Sequence, residues 1–189
     1  HAGFRLPFQE YIIVVEGKTS IALPIAQEAF NKLGEILHHH GSQTSMGDEG
    51  GYSPTFDTLE KPFELLAQIV EEFHGTNIAI DAAASQLFHD GKYHMLGKAY
   101  STNELAREYA NLAVNFGVKS IEDPFEENAH ADFSHLTSAV NGKIMVVGDD
   151  LACSNPELIS DAVKNKEMNA VIIKPNQIGT VREAIEAVK

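Results

Sequence analysis

The chain has 189 residues, enough for one domain of ordinary size, and 43% of them are hydrophobic, enough to bury a core. Its 27 acidic against 14 basic residues leave a net charge of −13, which argues against nucleic acid as a partner because phosphate binding needs a surplus of Lys and Arg. The single cysteine, Cys153, excludes an internal disulfide, no apolar run approaches the roughly 20 residues of a membrane span, and no basic segment leading into an apolar stretch marks a secretory signal.

Taken in chain order, the apolar, β-branched run from Gln9 to Val15 before Gly17 predicts a strand. Apolar spacing with Ala26, Phe30, Leu33 and Leu37 on one face predicts a helix over 21–37. The helix runs into His38, His39, His40 and Gly41, which read as a helix end with a glycine cap; successive helical residues point apart, so adjacent histidines cannot share one ion. After a polar, Gly-rich loop from Gly41 to Pro54, Asp57 is expected to cap a helix reaching Phe73, with Glu60 as capping-box partner. Short strands are then expected over 77–80, 118–121, 143–147 and 170–173, with helices over 102–116 and 129–140, one opened by Asn155 and Pro156, and a last one capped by Thr180 and Glu183. This alternation predicts parallel βα units buried on both faces, an α/β fold of barrel type. Lys189 falls inside the last helical pattern and His1 is no initiator Met, so both ends are expected to be cut. Gly17-Lys18-Thr19 lacks the glycine a phosphate loop needs, and no G-x-G-x-x-G follows a strand.

Four of these strands close on an ionisable residue: Asp81, Glu122, Asp149 and Lys174. In a barrel the C-terminal strand ends converge on one mouth. Carboxylates gathered there repel one another unless a cation sits between them, and an oxygen-only ligand set suits Mg²⁺. A Zn²⁺ site is disfavoured, since none of these strand ends offers His or Cys. Lys174 beside such a cation would have its pKa lowered and could act as a general base on a carbon acid next to a carboxylate.

The segments GDEGG (Gly47 to Gly51), SIEDPF (Ser120 to Phe125), VGDDL (Val147 to Leu151) and KPNQIG (Lys174 to Gly179) follow one another at a spacing that resembles the enolase family, as do His1-Ala2-Gly3 and Gln9-Glu10. The resemblance covers essentially the whole chain. It implies reversible dehydration of 2-phosphoglycerate to phosphoenolpyruvate in glycolysis and gluconeogenesis, on a Mg²⁺ held by Asp81, Glu122 and Asp149. It makes Lys174 the base at C2, Glu49 the acid at the C3 hydroxyl, Glu10 its neighbour, and His1 part of a substrate loop. Glu10, Glu122, Asp149 and Lys174 would also line the substrate. By the same resemblance residues 1–189 are a partial catalytic barrel, about strands two to six of eight, without the smaller N-terminal α+β domain. The isolated piece is expected to be unstable and inactive; the whole protein is expected to be cytoplasmic, with a surface or secreted fraction possible, and a homodimer or larger homo-oligomer.

Phe4, Arg5, Gln86 and Pro175 depart from the residues usual in that family, and Pro175 stands beside the base where it could alter the strand end. Asp150 is expected to support its neighbour rather than bind metal, and Lys18 and Arg5 to lie on the surface. Two rival functions remain open from sequence. One is a different lyase or racemase of the superfamily, which would lack the GDEGG acid. The other is a non-catalytic binding or scaffold role, which would tolerate loss of Lys174 or of a metal carboxylate.

Overall fold

A computed structural model describes residues 6–42, 45–47 and 50–189. Strand β1 (Glu10–Val15) leads into helix α1 (Thr19–His39), and α2 (Lys61–Glu72) follows. The histidines form the exposed last turn of α1, and Gly41, at φ +69°, takes the left-handed conformation that ends it. Helix α2 starts later than expected, with Glu60 at its N-cap position and no side-chain cap from Asp57. Pro62 favours this start: proline has no N–H and is best placed in a first helical turn, where no backbone bond is lost, although Pro24 is accommodated inside α1.

Strand β2 (Thr76–Asp81) is followed by a feature absent from the expected elements. A short 3₁₀ turn over Ala84–Leu87 feeds an antiparallel sheet of β3 (Phe88–His89), β4 (Lys92–Met95) and β5 (Lys98–Tyr100). Its two-residue loops, Asp90-Gly91 and Leu96-Gly97, all have φ between 50° and 74°, the doubly left-handed turn that matches strand twist. The remainder alternates as expected: α3 (Thr102–Phe116), β6 (Val118–Glu122), α4 (His130–Val140), β7 (Met145–Gly148), α5 (Pro156–Lys164), β8 (Ala170–Val171) and α6 (Val181–Ala187). Ser101 and Glu104 form a capping box on α3, while Asn155 and Thr180 cap α5 and α6.

The main sheet has the order β1-β2-β6-β7-β8 and does not close, as befits an incomplete barrel. β2, β6, β7 and β8 are parallel, but β1 runs antiparallel to β2, which corrects the all-parallel expectation. The cause lies in the connection. One helix between strands returns the chain to its starting end, whereas two helices, α1 and α2, bring it back reversed.

The core packs the helices against this sheet through a line of aromatic rings. Phe8 meets Tyr109 at 5.8 Å between centroids, Tyr109 meets Phe125 at 6.1 Å, and Phe125 meets Phe133 at 5.8 Å. All four are buried, and each buried ring contributes about 2–3 kcal/mol of hydrophobic stabilisation. Tyr109 donates its hydroxyl proton to the Pro124 carbonyl at 2.9 Å, and the Tyr93 hydroxyl accepts the Glu126 N–H at 3.1 Å. These bonds anchor the loop directly after β6, where the candidate site begins.

Candidate active site

The parallel register brings the ends of β2, β6 and β7 to one edge of the sheet. Asp81 pairs with Glu122, and Glu122 with Val147, two residues before Asp149. The ends are tied beyond the ladder by Ala82 N–H to the Glu122 carbonyl (3.0 Å) and Asp123 N–H to the Val147 carbonyl (2.9 Å). Gly148 leaves room for Met168 just before Asp149: a Cβ there would sit 2.7 Å from Met168 Sδ, so that side chain would have to shift.

Asp81 is buried, accepting the Ala83 N–H at 2.9 Å and the Gln9 side-chain amide at 3.2 Å. Burial pushes its pKa up to about 7; the Ala83 bond opposes this, while the charges of Asp123, Glu10 and Asp149 add to it. Glu122 is raised to about 8, again mainly by burial and then by Asp81, Asp149 and Asp123, with Lys174 opposing. Each pKa records the same strain: negative charge confined at a poorly solvated strand edge.

Asp123 was not among the expected site residues. One oxygen each of Glu122, Asp123 and Asp149 lie within 4.8 Å of one another, a grouping able to hold a metal ion. Yet Asp123 already accepts the Asp149 N–H at 3.0 Å and the Asp150 N–H at 2.8 Å. Its carboxylate therefore organises the turn that carries Asp149. Burial raises it to about 6 against the pull of those two bonds. The only sequence signal for this role was its place directly after Glu122; Asp123 follows the end of β6 with φ +39°, a turn that strand alternation does not describe. Asp150 lies beside the cluster, its amide on Asp123 and its carbonyl accepting from the exposed Cys153 thiol at 3.2 Å.

Lys174 reaches the cluster from beyond β8. Its Nζ donates to Asp149 Oδ2, and this bond, with the surrounding carboxylate charge, holds its pKa above the ordinary lysine value. The lowered pKa expected from sequence presupposed a cation among the acids; the chain's own groups act in the opposite direction. Strand β8 is also shorter than expected, ending at Val171, so Lys174 stands clear of the ladder.

The reversed direction of β1 places Glu10 at this edge as well, in register with Asp81, where its charge contributes to the raised pKa of Asp81. Gln9 and Glu10 also border a mostly apolar cavity of about 650 Å³ that extends beneath α1, with Tyr11, Phe30 and Leu33 on its walls.

Comparison with known proteins decides the family, since the family described as Enolase, C-terminal TIM barrel domain, matches residues 1–189. The chain belongs to this enolase barrel family. It is 36% identical over 192 residues to an enolase of Neorickettsia sennetsu, covering 100% of this chain and 46% of that protein. It is 38% identical over 194 residues to an enolase of Campylobacter jejuni, covering 100% of this chain and 47% of the relative. An enolase of Ehrlichia canis is 36% identical over 196 residues, again with 100% and 47% covered. The chain thus spans about half the length of the curated relatives it matches.

Of the residues that the enolase resemblance singles out, the fold brings together Asp81, Glu122, Asp149, Lys174 and Glu10. His1 and Glu49 lie outside the described residues, as does Arg5, while Lys18 is exposed as expected. Among the described residues, no helix is long and apolar enough to cross a membrane.

Proposed function

We propose that this chain supplies the metal-binding and proton-abstracting part of a phosphopyruvate hydratase, which interconverts 2-phosphoglycerate and phosphoenolpyruvate. The observation that carries the proposal is the contact of Lys174 with Asp149 at the edge shared by Asp81 and Glu122. The donor set fits Mg²⁺: every candidate ligand is a carboxylate oxygen, and burial, with the charge of neighbouring carboxylates added, raises two of the acids well above their usual range. Asp81, Glu122 and Asp149 would hold the ion, which when bound would offset the charge that builds on the substrate carboxylate as its C2 proton leaves.

The chain's own groups divide the remaining work. Lys174 takes the C2 proton on Nζ, which requires it first to be relieved of the carboxylate charge that keeps it protonated. Glu49, from the resemblance, gives a proton to the departing C3 hydroxyl, and Glu10 assists it. His1 contributes to a loop over the substrate. Asp81, Asp123 and Asp149 are buried, which holds the acids in a fixed arrangement around the reacting group. A cytoplasmic glycolytic role and a homodimeric or larger assembly belong to this same proposal. Retention of both the base and the acids favours catalysis over a scaffold role.

The test is formation of phosphoenolpyruvate by the full-length protein with Mg²⁺, with EDTA, and in Lys174→Ala. Turnover that depends on Mg²⁺ and vanishes in the variant supports the proposal. A protein that binds Mg²⁺ yet leaves 2-phosphoglycerate intact overturns it in favour of another reaction or a binding role.

A further inference from the structure

The hydrogen bonds around Lys174 and Asp149 close into a ring through two residues with no part in the proposed chemistry. Ser154 Oγ accepts the Lys174 backbone N–H at 2.8 Å and donates to Gln177 Oε1 at 2.7 Å. Gln177 Nε2 donates to Asp149 Oδ1 at 3.2 Å, and Lys174 Nζ occupies Oδ2 of the same carboxylate.

Only one arrangement satisfies every group. A carboxylate can only accept, so the Gln177 NH₂ must face Asp149. Its carbonyl then faces Ser154, whose single proton must go to it, leaving a serine lone pair for the Lys174 amide. Ser154 is wholly buried and keeps this geometry in an unfavourable backbone: φ is +53°, directly after Cys153 at +47°. Side-chain-bearing residues rarely adopt that region, and two in succession must be held there by the surrounding structure.

We infer that Ser154 and Gln177 are positioning residues for the base and for one metal carboxylate. Ser154 fixes the backbone from which Lys174 projects, after the β ladder has ended. Gln177 fixes the rotation of the Asp149 carboxylate, so that one oxygen is always turned to the amide and the other toward Lys174. The catalytic consequence rests on the proposed hydratase reaction; the positioning itself does not.

Full-length Ser154→Ala, Ser154→Gly and Gln177→Leu separate these roles through three readouts. The first is hydrogen exchange of the Lys174 amide in metal-free protein, the second Mg²⁺ affinity by calorimetry, and the third kcat and KM for 2-phosphoglycerate. Both serine variants should speed exchange of that amide about 10-fold or more and lower kcat about 10- to 100-fold, with KM changed much less. Glycine relieves the backbone but lacks the hydroxyl, so its matching the alanine variant assigns the effect to the hydroxyl. Gln177→Leu should weaken Mg²⁺ binding about 10-fold. Variants that only melt earlier, with amide exchange and Mg²⁺ affinity unchanged, overturn the inference. So does an active parent whose kcat survives both serine substitutions. If the parent leaves 2-phosphoglycerate intact while the variants still shift amide exchange and Mg²⁺ affinity, the positioning role stands and the assigned reaction falls.

Discussion

Glu10 and Asp81 face each other across an antiparallel strand pair, the first residue of β1 in register with the last residue of β2. In an all-parallel sheet a residue that opens a strand lies at the opposite edge from residues that close strands. Two helices in the β1–β2 connection reverse β1 and bring Glu10 among the acids. Glu10→Gln should therefore lower the pKa of Asp81, since it removes a neighbouring negative charge. Carbon-detected NMR titration of the Asp81 carboxyl in metal-free protein checks this; an unmoved titration would show the two groups to be uncoupled.

Asp81 and Glu122 also set a pH dependence. Their folded values, about 7 and about 8, lie above the 3.8 and 4.5 of the free groups. A raised folded pKa means the native chain binds protons more tightly than the unfolded one. The stability these groups contribute is complete below the free-group values and is lost as pH rises through 7 and 8. The metal-free protein should melt at falling temperature between pH 5 and pH 8, and Mg²⁺ should flatten that slope. Below pH 8, Mg²⁺ binding should release protons, seen as a dependence of the calorimetric heat on buffer ionisation enthalpy.

Glu122 and Asp123 are adjacent but should respond with opposite signs. Glu122→Gln removes a confined charge, so it should raise the melting temperature of metal-free protein while abolishing tight Mg²⁺ binding. Asp123→Asn turns an NH₂ toward one of two backbone N–H donors, those of Asp149 and Asp150. Leaving one of them unpaired should cost about 1–3 kcal/mol. Denaturant titration of both variants would show whether Asp123 is an organiser of the turn or a spare ligand.

Gly34→Ala should destabilise although alanine is the better helix former by about 1 kcal/mol. Gly34 leaves a notch in α1 that the ring of Tyr52 enters, stacked on Phe30 at 4.5 Å; an added Cβ would lie 2.8 Å from the ring's Cζ. Overpacking of this kind costs about 1–3 kcal/mol. In a Tyr52→Leu background the substitution should reverse sign and stabilise. A loss of stability in both backgrounds would mean that the notch is not the cause.

Tyr109→Phe removes the buried hydroxyl that holds the Pro124 carbonyl. The expected loss is about 1–2 kcal/mol, because the carbonyl is left without its partner. If thermal unfolding showed no change, the loop after β6 would be held by packing alone.

Most of what lies near in sequence was legible without coordinates. The strands ending at Asp81, Glu122 and near Asp149 appear where apolar runs meet an acid, and Asn155 and Thr180 cap the helices they were expected to cap. Such features depend on side-chain chemistry within a few residues, and local chemistry is written directly in the chain. The expected Asp57 cap failed for an equally local reason, the competing demand of Pro62. The antiparallel sheet from β3 to β5 was missed: Asp90-Gly91 is a hairpin signal, but the flanking strands are too short to show alternation.

The sequence alone determined the chemistry: which strand ends carry acids, that a lysine follows them, and the enolase family to which these motifs belong. Only the tertiary structure decided the geometry: that β1 runs backwards and delivers Glu10, that Asp123 spends its oxygens on backbone amides, and that Ser154 and Gln177 close a ring around Lys174 and Asp149. The reason is one of range. Propensity and capping act over a few residues, whereas strand direction and hydrogen-bond partners 20 to 77 positions apart are set by how whole helices and strands pack.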